Sequence, residues 1–259
     1  MNKNPLKKSL TEHKQSFGCW VTLAHPLIPE ILASAGFDWL CVDMEHSSID
    51  LKDLLALIIA IESNGLVPLV RVGENNPNLI KRVMDAGAYG VIVPNVNNAQ
   101  DAQAAVDAVK YPPSGKRGVG LYRAQKYGRA FESYQRWLAQ ESVVIIQIEH
   151  IDAVNNVEDI FAVKGIDAFM IGPYDLSGSL GKPGRYDEPD VVAAIKKVLD
   201  AARRFHIPAG FHSIPSDPRQ AARRVRQGFR FLAFSLDGVF LGDAAANALA
   251  AVKKTIKKK

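Results

Sequence analysis

The sequence lacks most of the features that announce a function at once. Only two of its 259 residues are cysteine, Cys19 and Cys41. Both sit inside apolar runs without Cys-x-x-Cys spacing, so neither a disulfide framework nor a thiolate metal site is expected. No apolar run approaches the ~18 residues of a membrane span. The first fourteen residues are polar and basic, with no signal-type apolar segment behind them. A cytoplasmic protein that is neither exported nor held in a membrane is expected. The Gly-rich turn that binds dinucleotides is missing after the first strand candidate, where His25-Pro26-Leu27 stands instead. The basic stretch Gly115-Lys116-Arg117-Gly118-Val119-Gly120 lacks the Gly-Lys-Ser/Thr of a phosphate-binding loop. No strand candidate contains a lysine, which removes the residue that Schiff-base chemistry needs.

What is present is ordinary in bulk and ordered in detail. The chain is 47% hydrophobic and 23% charged, enough for one large core. The net charge of +5 is concentrated at the ends, in Lys3, Lys7 and Lys8 and in Lys253, Lys254, Lys257, Lys258 and Lys259. Setting these eight lysines aside turns +5 into −3. Residues 1–14 and 253–259 therefore read as solvated basic tails on a single domain spanning 1–259, and no nucleic-acid partner is expected.

Short apolar, β-rich runs alternate with amphipathic stretches. The strand candidates are Phe17–Leu23, Trp39–Asp43, Val67–Arg71, Gly90–Pro94, Val143–Ile148, Ala168–Ile171, Ile207–Phe211 and Phe231–Phe234. Each is followed by a helical pattern. An irregular stretch over Tyr111–Gly128 and a Gly/Pro/Ser-rich loop up to Pro189 interrupt the rhythm. Strand–helix alternation makes parallel strands, and eight units in about 250 residues is the size of a closed (β/α)8 TIM barrel. An open doubly wound sheet would carry the absent Gly-rich turn.

Barrels place chemistry at the C-terminal ends of their strands. There the sequence puts Asp43-Met44-Glu45-His46, Arg71, Pro94-Asn95, Gln147-Ile148-Glu149-His150, Gly172-Pro173-Tyr174-Asp175, His212-Ser213, and Ser235 with Asp237. Glu149 and Asp175 come from consecutive strand ends and can converge as hard oxygen ligands for a divalent cation. The alternative is an unrelated salt bridge and a surface carboxylate. Arg71 is placed to fork onto a carboxylate or enolate oxygen, or else to pair with Glu45 or Glu149. Asp43 and His46 suggest a carboxylate orienting an imidazole, set against a purely structural histidine. Arg123 is read as near the mouth, reaching an anionic substrate or bracing its loop.

Five segments together resemble the metal-dependent pyruvate aldolases of the HpcH/HpaI family: Ala35-Gly-Phe-Asp-Trp-Leu-Cys-Val-Asp-Met-Glu-His46, Pro68-Leu-Val-Arg71, Asp85-Ala-Gly-Ala-Tyr-Gly-Val-Ile-Val-Pro94, Gln147-Ile-Glu149 and Gly165-Ile-Asp-Ala-Phe-Met-Ile-Gly-Pro-Tyr-Asp-Leu-Ser177. The resemblance implies a barrel of the phosphoenolpyruvate/pyruvate superfamily, with a last helix exchanged between subunits and a homohexamer. It implies Mg2+, Mn2+ or Co2+ on Glu149 and Asp175 with Gln147 nearby. It implies Arg71 on the pyruvate enolate, backbone groups around Gly172 and Pro173 on the pyruvate carboxylate, an Asp43/His46 acid–base dyad, and Arg123 near the mouth. The implied reaction is reversible cleavage of a 4-hydroxy-2-oxo acid to pyruvate and an aldehyde, with oxaloacetate decarboxylation or acyl-CoA cleavage as alternatives. His25 and His150 depart from the family pattern. With His212, they are the first places to look for what sets the aldehyde.

Overall fold

The computed structural model describes residues 3–256. Eight parallel strands close in sequence order into a barrel: β1 (Ser16–Val21), β2 (Trp39–Asp43), β3 (Val67–Arg71), β4 (Gly90–Val93), β5 (Val143–Ile148), β6 (Ala168–Ile171), β7 (Ala209–Ser213) and β8 (Phe231–Leu236). The helices in chain order are α1 (Pro5–Thr11), α2 (Leu27–Ala33), α3 (Leu51–Ser63), α4 (Pro77–Ala86), α5 (Ala99–Val109), α6 (Phe131–Glu141), α7 (Ile151–Asn155), α8 (Val157–Phe161), α9 (Pro173–Ser179), α10 (Pro189–Phe205), α11 (Pro218–Arg226) and α12 (Asp237–Ile256). The expected (β/α)8 barrel is what the chain forms.

Strands β2 to β6 are buried along their whole length, as parallel strands covered by helices must be. At the base of the barrel Trp39 and Phe231 stack with centroids 4.4 Å apart. Gly18 makes room for them: a Cβ there would lie 2.1 Å from the Trp39 ring. The helices start where the sequence offers caps. Asp50 closes a capping box on α3, and Asn76 caps α4 with Pro77 in its first turn.

Four expectations are corrected. Within the tail expected over residues 1–14, residues 1 and 2 lie outside the described residues, and residues 4–12 form a capped helix: Asn4 caps α1, which buries Leu6 and Leu10, each 2% exposed. Lys7 pairs with Asp167, which also accepts from the Val144 amide at 2.8 Å, so α1 is fastened to the floor of the barrel. At the other end, Lys253 and Lys254 belong to α12, and residues 257–259 lie outside the described residues. Strand β7 begins two residues later than expected, after Pro208, which brings His212 and Ser213 into the strand. The loop after β6 contains a helix, α9, started by Pro173.

The stretch between α5 and α6, expected near the mouth, lies at the opposite end. It links α5 to α6 and packs against the C-terminal ends of α3 and α4, Arg123 meeting Glu62 and Ala86 and Arg117 meeting Asp85, which places it at the N-terminal face. Arg117 there is 3% exposed, donating to Asp85 at 2.6 Å and to the Tyr134 hydroxyl at 3.0 Å.

Helix α12 follows β8 directly and is exposed beyond its first turn, with Leu241 65%, Leu249 54% and Ile256 69% exposed. Among the described residues no helix is long and apolar enough to cross a membrane.

If α1 is a structural lid, Leu6→Ala or Leu10→Ala will lower the unfolding free energy by about 2–5 kcal/mol. The shift is read as a lower urea midpoint at unchanged slope. Midpoints equal to wild type would return the segment to the status of a tail.

Candidate active site

The register of β2 against β3 sets Asp43 directly opposite Arg71. Their side chains meet as a fork: Arg71 Nε donates to Asp43 Oδ1 at 2.9 Å and Nη2 to Oδ2 at 2.7 Å. Nη1 lies 3.1 Å from Glu45 Oε2, and the guanidinium carbon stands 4.4 Å from the centroid of the Trp20 ring. Two of the five guanidinium N–H groups are thereby hydrogen-bonded to Asp43, and Glu45 adds an ion pair at Nη1, leaving N–H groups on both terminal nitrogens for a ligand. Burial opposes ionisation of Asp43, but the hydrogen bond and charge of Arg71 outweigh it and hold the carboxyl below its ordinary value.

The expected Asp43/His46 dyad does not form through side chains. Asp43 Oδ1 accepts the backbone amides of Glu45 at 3.1 Å and His46 at 3.3 Å. The His46 imidazole is 67% exposed, and its Nε2 lies 3.8 Å from Glu45 Oε2. Residues three apart on extended chain point to opposite faces, whereas Asp43 and Glu45 share one. Glu45, read from the sequence only as a strand-end partner for Arg71, therefore joins the site. Desolvation pushes its carboxyl up to about 7; Arg71 opposes this, and the neighbouring Glu149, Asp43 and Asp175 reinforce it.

Glu149 leaves β5 and is 5% exposed. Its Oε1 accepts the Asn95 amide at 2.7 Å, and its Oε2 accepts Gln147 Nε2. Asn95 adopts φ 55 to aim that amide, in the left-handed region that asparagine tolerates better than most residues. Burial raises the Glu149 carboxyl above its ordinary value; the bonds from Asn95 and Gln147 pull it back, and Asp175 adds to the rise. Gly172 allows the close approach: a Cβ there would stand 2.7 Å from Glu149 Oε2.

Asp175, exposed on the first turn of α9, lines both cavities at the barrel mouth. Crowded carboxylates with one shared arginine are a donor set that suits a hard divalent cation. Among the described residues no three His, Cys, Asp or Glu side chains converge to hold a metal. The protein would thus give two ligands and leave the other positions to substrate and water.

The backbone around Gly172 narrows which amides are free. The Gly172 amide already donates to Ile148 at 3.2 Å, and Pro173 has none. Helix geometry leaves the Tyr174 and Asp175 amides as the available donors there.

One cavity, of about 510 Å3, is lined by Trp20, Asp43, His46, Arg71, Gln147 and His212 among others. A second, of about 380 Å3, adjoins it at His46, Tyr174 and Asp175 and includes Glu45, Glu149 and His150. His150 also caps α7, its Nδ1 accepting the Asp152 amide at 3.2 Å. His25 lines neither cavity; it accepts the Leu27 amide at 3.2 Å and braces the start of α2. Arg123 is not at this mouth. It pairs with Glu62 and donates to the Ala86 carbonyl at 3.1 Å, at the far end of the same barrel.

Fold and site together define a barrel enzyme that concentrates carboxylates and one fixed arginine at the C-terminal rim. The chain belongs to the HpcH/HpaI aldolase/citrate lyase family, whose model matches residues 16–244. It is 38% identical to the 2-dehydro-3,6-dideoxy-6-sulfogluconate aldolase of Pseudomonas putida, over 94% of this chain and 95% of that one. It is 39% identical to a pyruvate aldolase of Rhizobium etli, over 96% of each. Among solved structures, an HpcH/HpaI aldolase/citrate lyase family protein from Burkholderia cenocepacia superposes with a TM-score of 0.91 at 36% identity, covering 96% of this chain and 99% of that one.

The raised Glu45 carboxyl gives a signed expectation for the metal-free protein. The folded state holds this proton more tightly than the unfolded chain, so stability is lost as pH rises from about 4.5 through about 7. Glu45→Gln removes that loss. Relative to wild type it will gain up to roughly 3 kcal/mol between pH 4 and pH 8 in metal-free denaturation. A gap that does not change with pH would show that Glu45 titrates normally.

Proposed function

We propose that the chain is a divalent-metal-dependent pyruvate aldolase, cleaving a 4-hydroxy-2-oxo acid reversibly to pyruvate and an aldehyde. The observation that carries this is Arg71, forked onto Asp43 and ion-paired with Glu45 with N–H groups left over on both terminal nitrogens, facing the same cavity as Gln147 and Asp175. Glu149 and Asp175 would hold the metal. When bound, it would supply Lewis acidity to the carboxylate and carbonyl of the 2-oxo acid.

The remaining tasks belong to the chain's own side chains. Arg71 donates to the C2 oxygen as it takes up charge in the enolate. Because its partners fix the guanidinium beforehand, no reorganisation is needed as that charge develops. The Tyr174 and Asp175 amides offer donors to the substrate carboxylate. His46, beside Glu45 at the cavity edge, takes the C4 hydroxyl proton through water in the cleavage direction and returns it in addition. Gln147 holds Glu149 in orientation. The same enolate forms when oxaloacetate loses carbon dioxide, so decarboxylation is expected as a side activity. Cys19 and Cys41, buried and unpaired, suit a reducing cytoplasm. The exposed apolar face of α12 suits packing against another copy, in keeping with the hexamer expected from the resemblance.

The test is pyruvate-forming cleavage with and without EDTA. Activity should vanish on chelation and return with Mg2+, Mn2+ or Co2+. Arg71→Ala should cost about 10²–10³ in rate. Full activity in EDTA, or in Arg71→Ala, would overturn the assignment. For α12, truncation after Gly242 should shrink the assembly in sedimentation velocity, whereas an unchanged particle would remove the helix from any interface.

A further inference from the structure

The wall of the larger cavity holds two buried nitrogens without a protein partner. Trp20, on β1, is 1% exposed, and its Nε1–H donates to nothing. His212, on β7, has a buried Nε2 with no partner. The two rings meet edge to face with centroids 5.1 Å apart, and both line the cavity that contains Arg71. Around them the wall is apolar, with Met170, Ile214 and Leu236. No lysine and no arginine other than Arg71 lines this cavity.

The tautomer of His212 follows from its other nitrogen. A neutral imidazole carries one N–H and one lone pair, and the nearby Ser235 backbone favours a proton on the ring. With Nε2 unpartnered, a proton on Nδ1 leaves the Nε2 lone pair to the cavity. Burial, reinforced by the charge of Arg71, pushes the imidazole down to about 3, so it stays neutral at working pH. An imidazole acceptor and an indole donor thus belong to two rings in contact on the wall of one cavity. A hydroxyl satisfies both, accepting from the indole and donating to the imidazole. A carboxylate or carbonyl oxygen can only accept, and a methyl does neither.

We infer that Trp20 and His212 form a subsite for a hydroxyl on the aldehyde half of the substrate, selecting uncharged hydroxy-aldehydes over deoxy or acidic ones. The inference rests on the pyruvate aldolase reading above. Specificity of this kind arises because a ligand without the hydroxyl leaves the buried groups unpaired.

The experiment measures kcat/KM for addition of pyruvate to glycolaldehyde against acetaldehyde, to lactaldehyde against propanal, and to succinic semialdehyde, with Mn2+-loaded enzyme. Wild type should favour each hydroxylated aldehyde by about tenfold or more, equivalent to about 1.4 kcal/mol, and should disfavour the acidic one. His212→Leu should bring both ratios near unity, and Trp20→Phe should lower them. His212→Gln, which restores an acceptor, should keep part of the preference. A ratio taken within one variant does not depend on the fraction that folds. Flat ratios in wild type, ratios unchanged in His212→Leu, or a preference for succinic semialdehyde would overturn the inference. Exchange of pyruvate C3 protons by the wild type separates the two levels. Exchange with flat ratios removes only the hydroxyl subsite, while no exchange with metal removes the pyruvate reading itself.

Discussion

The site depends on the fork between Asp43 and Arg71. Burying an ion pair is seldom a net gain, because desolvation of both charges offsets much of their attraction. Here the pair lies on neighbouring strands in direct register, at the ends where β2 and β3 leave the barrel. Its rigidity is that of the sheet. The Trp20 ring covers one face of the guanidinium, and Glu45 adds an ion pair at Nη1. What the arrangement provides is a cation that cannot swing, with two donors presented in fixed directions. An arginine held only by solvent would reorient as charge developed on a substrate, and the stabilisation would be correspondingly smaller.

That single cation is outnumbered. Asp43, Glu45, Glu149 and Asp175 surround it, and Asp43 already neutralises it. The surplus negative charge explains why the Glu45 and Glu149 carboxyls are both displaced upwards: burial disfavours their ionisation, and their neighbours add repulsion. A proton or a divalent cation relieves the same strain. An anionic 2-oxo acid would be repelled by the bare site, so the charge balance itself couples substrate binding to a metal ion.

The barrel was legible because the strand–helix alternation is regular, and β2 to β5 start where the apolar runs do. The rim carboxylates Glu149 and Asp175 and Arg71 were legible because charged residues interrupt those runs at one end. Other features were misread for identifiable reasons. Lysines obscured α1, although Asn4-Pro5 is a helix start and Leu6 and Leu10 have helical spacing. Spacing in sequence suggested an Asp43/His46 pair, where strand alternation favours Asp43 with Glu45. Basic, glycine-rich composition drew Arg123 to the mouth, although the stretch linking α5 to α6 packs at the barrel floor. Gly172, Pro173 and Ser177 read as loop, yet proline in a first turn begins α9. His212 stood out at a strand end, but Trp20 showed no chemical pattern in sequence; they sit on β1 and β7, far apart along the chain, and only closure of the barrel brings their rings together.

Two halves of the mouth therefore obey different physics. On the side of Arg71, Glu149 and Asp175, charges are dense and pre-set, and the chemistry they suit is common to any 2-oxo acid that forms an enolate. On the side of β7 and β8 the wall is apolar and interrupted by neutral polar atoms. Charge acts over distance and tolerates variation in the rest of the molecule, whereas a neutral hydrogen bond rewards one group in one place. An enzyme built this way can keep its reaction while exchanging its aldehyde, because His212 can change without disturbing the fork that holds Arg71. Trp20 does not share this freedom. Its ring touches both His212 and the Arg71 guanidinium, so under the proposed roles a substitution there would act on acceptor choice and enolate stabilisation together.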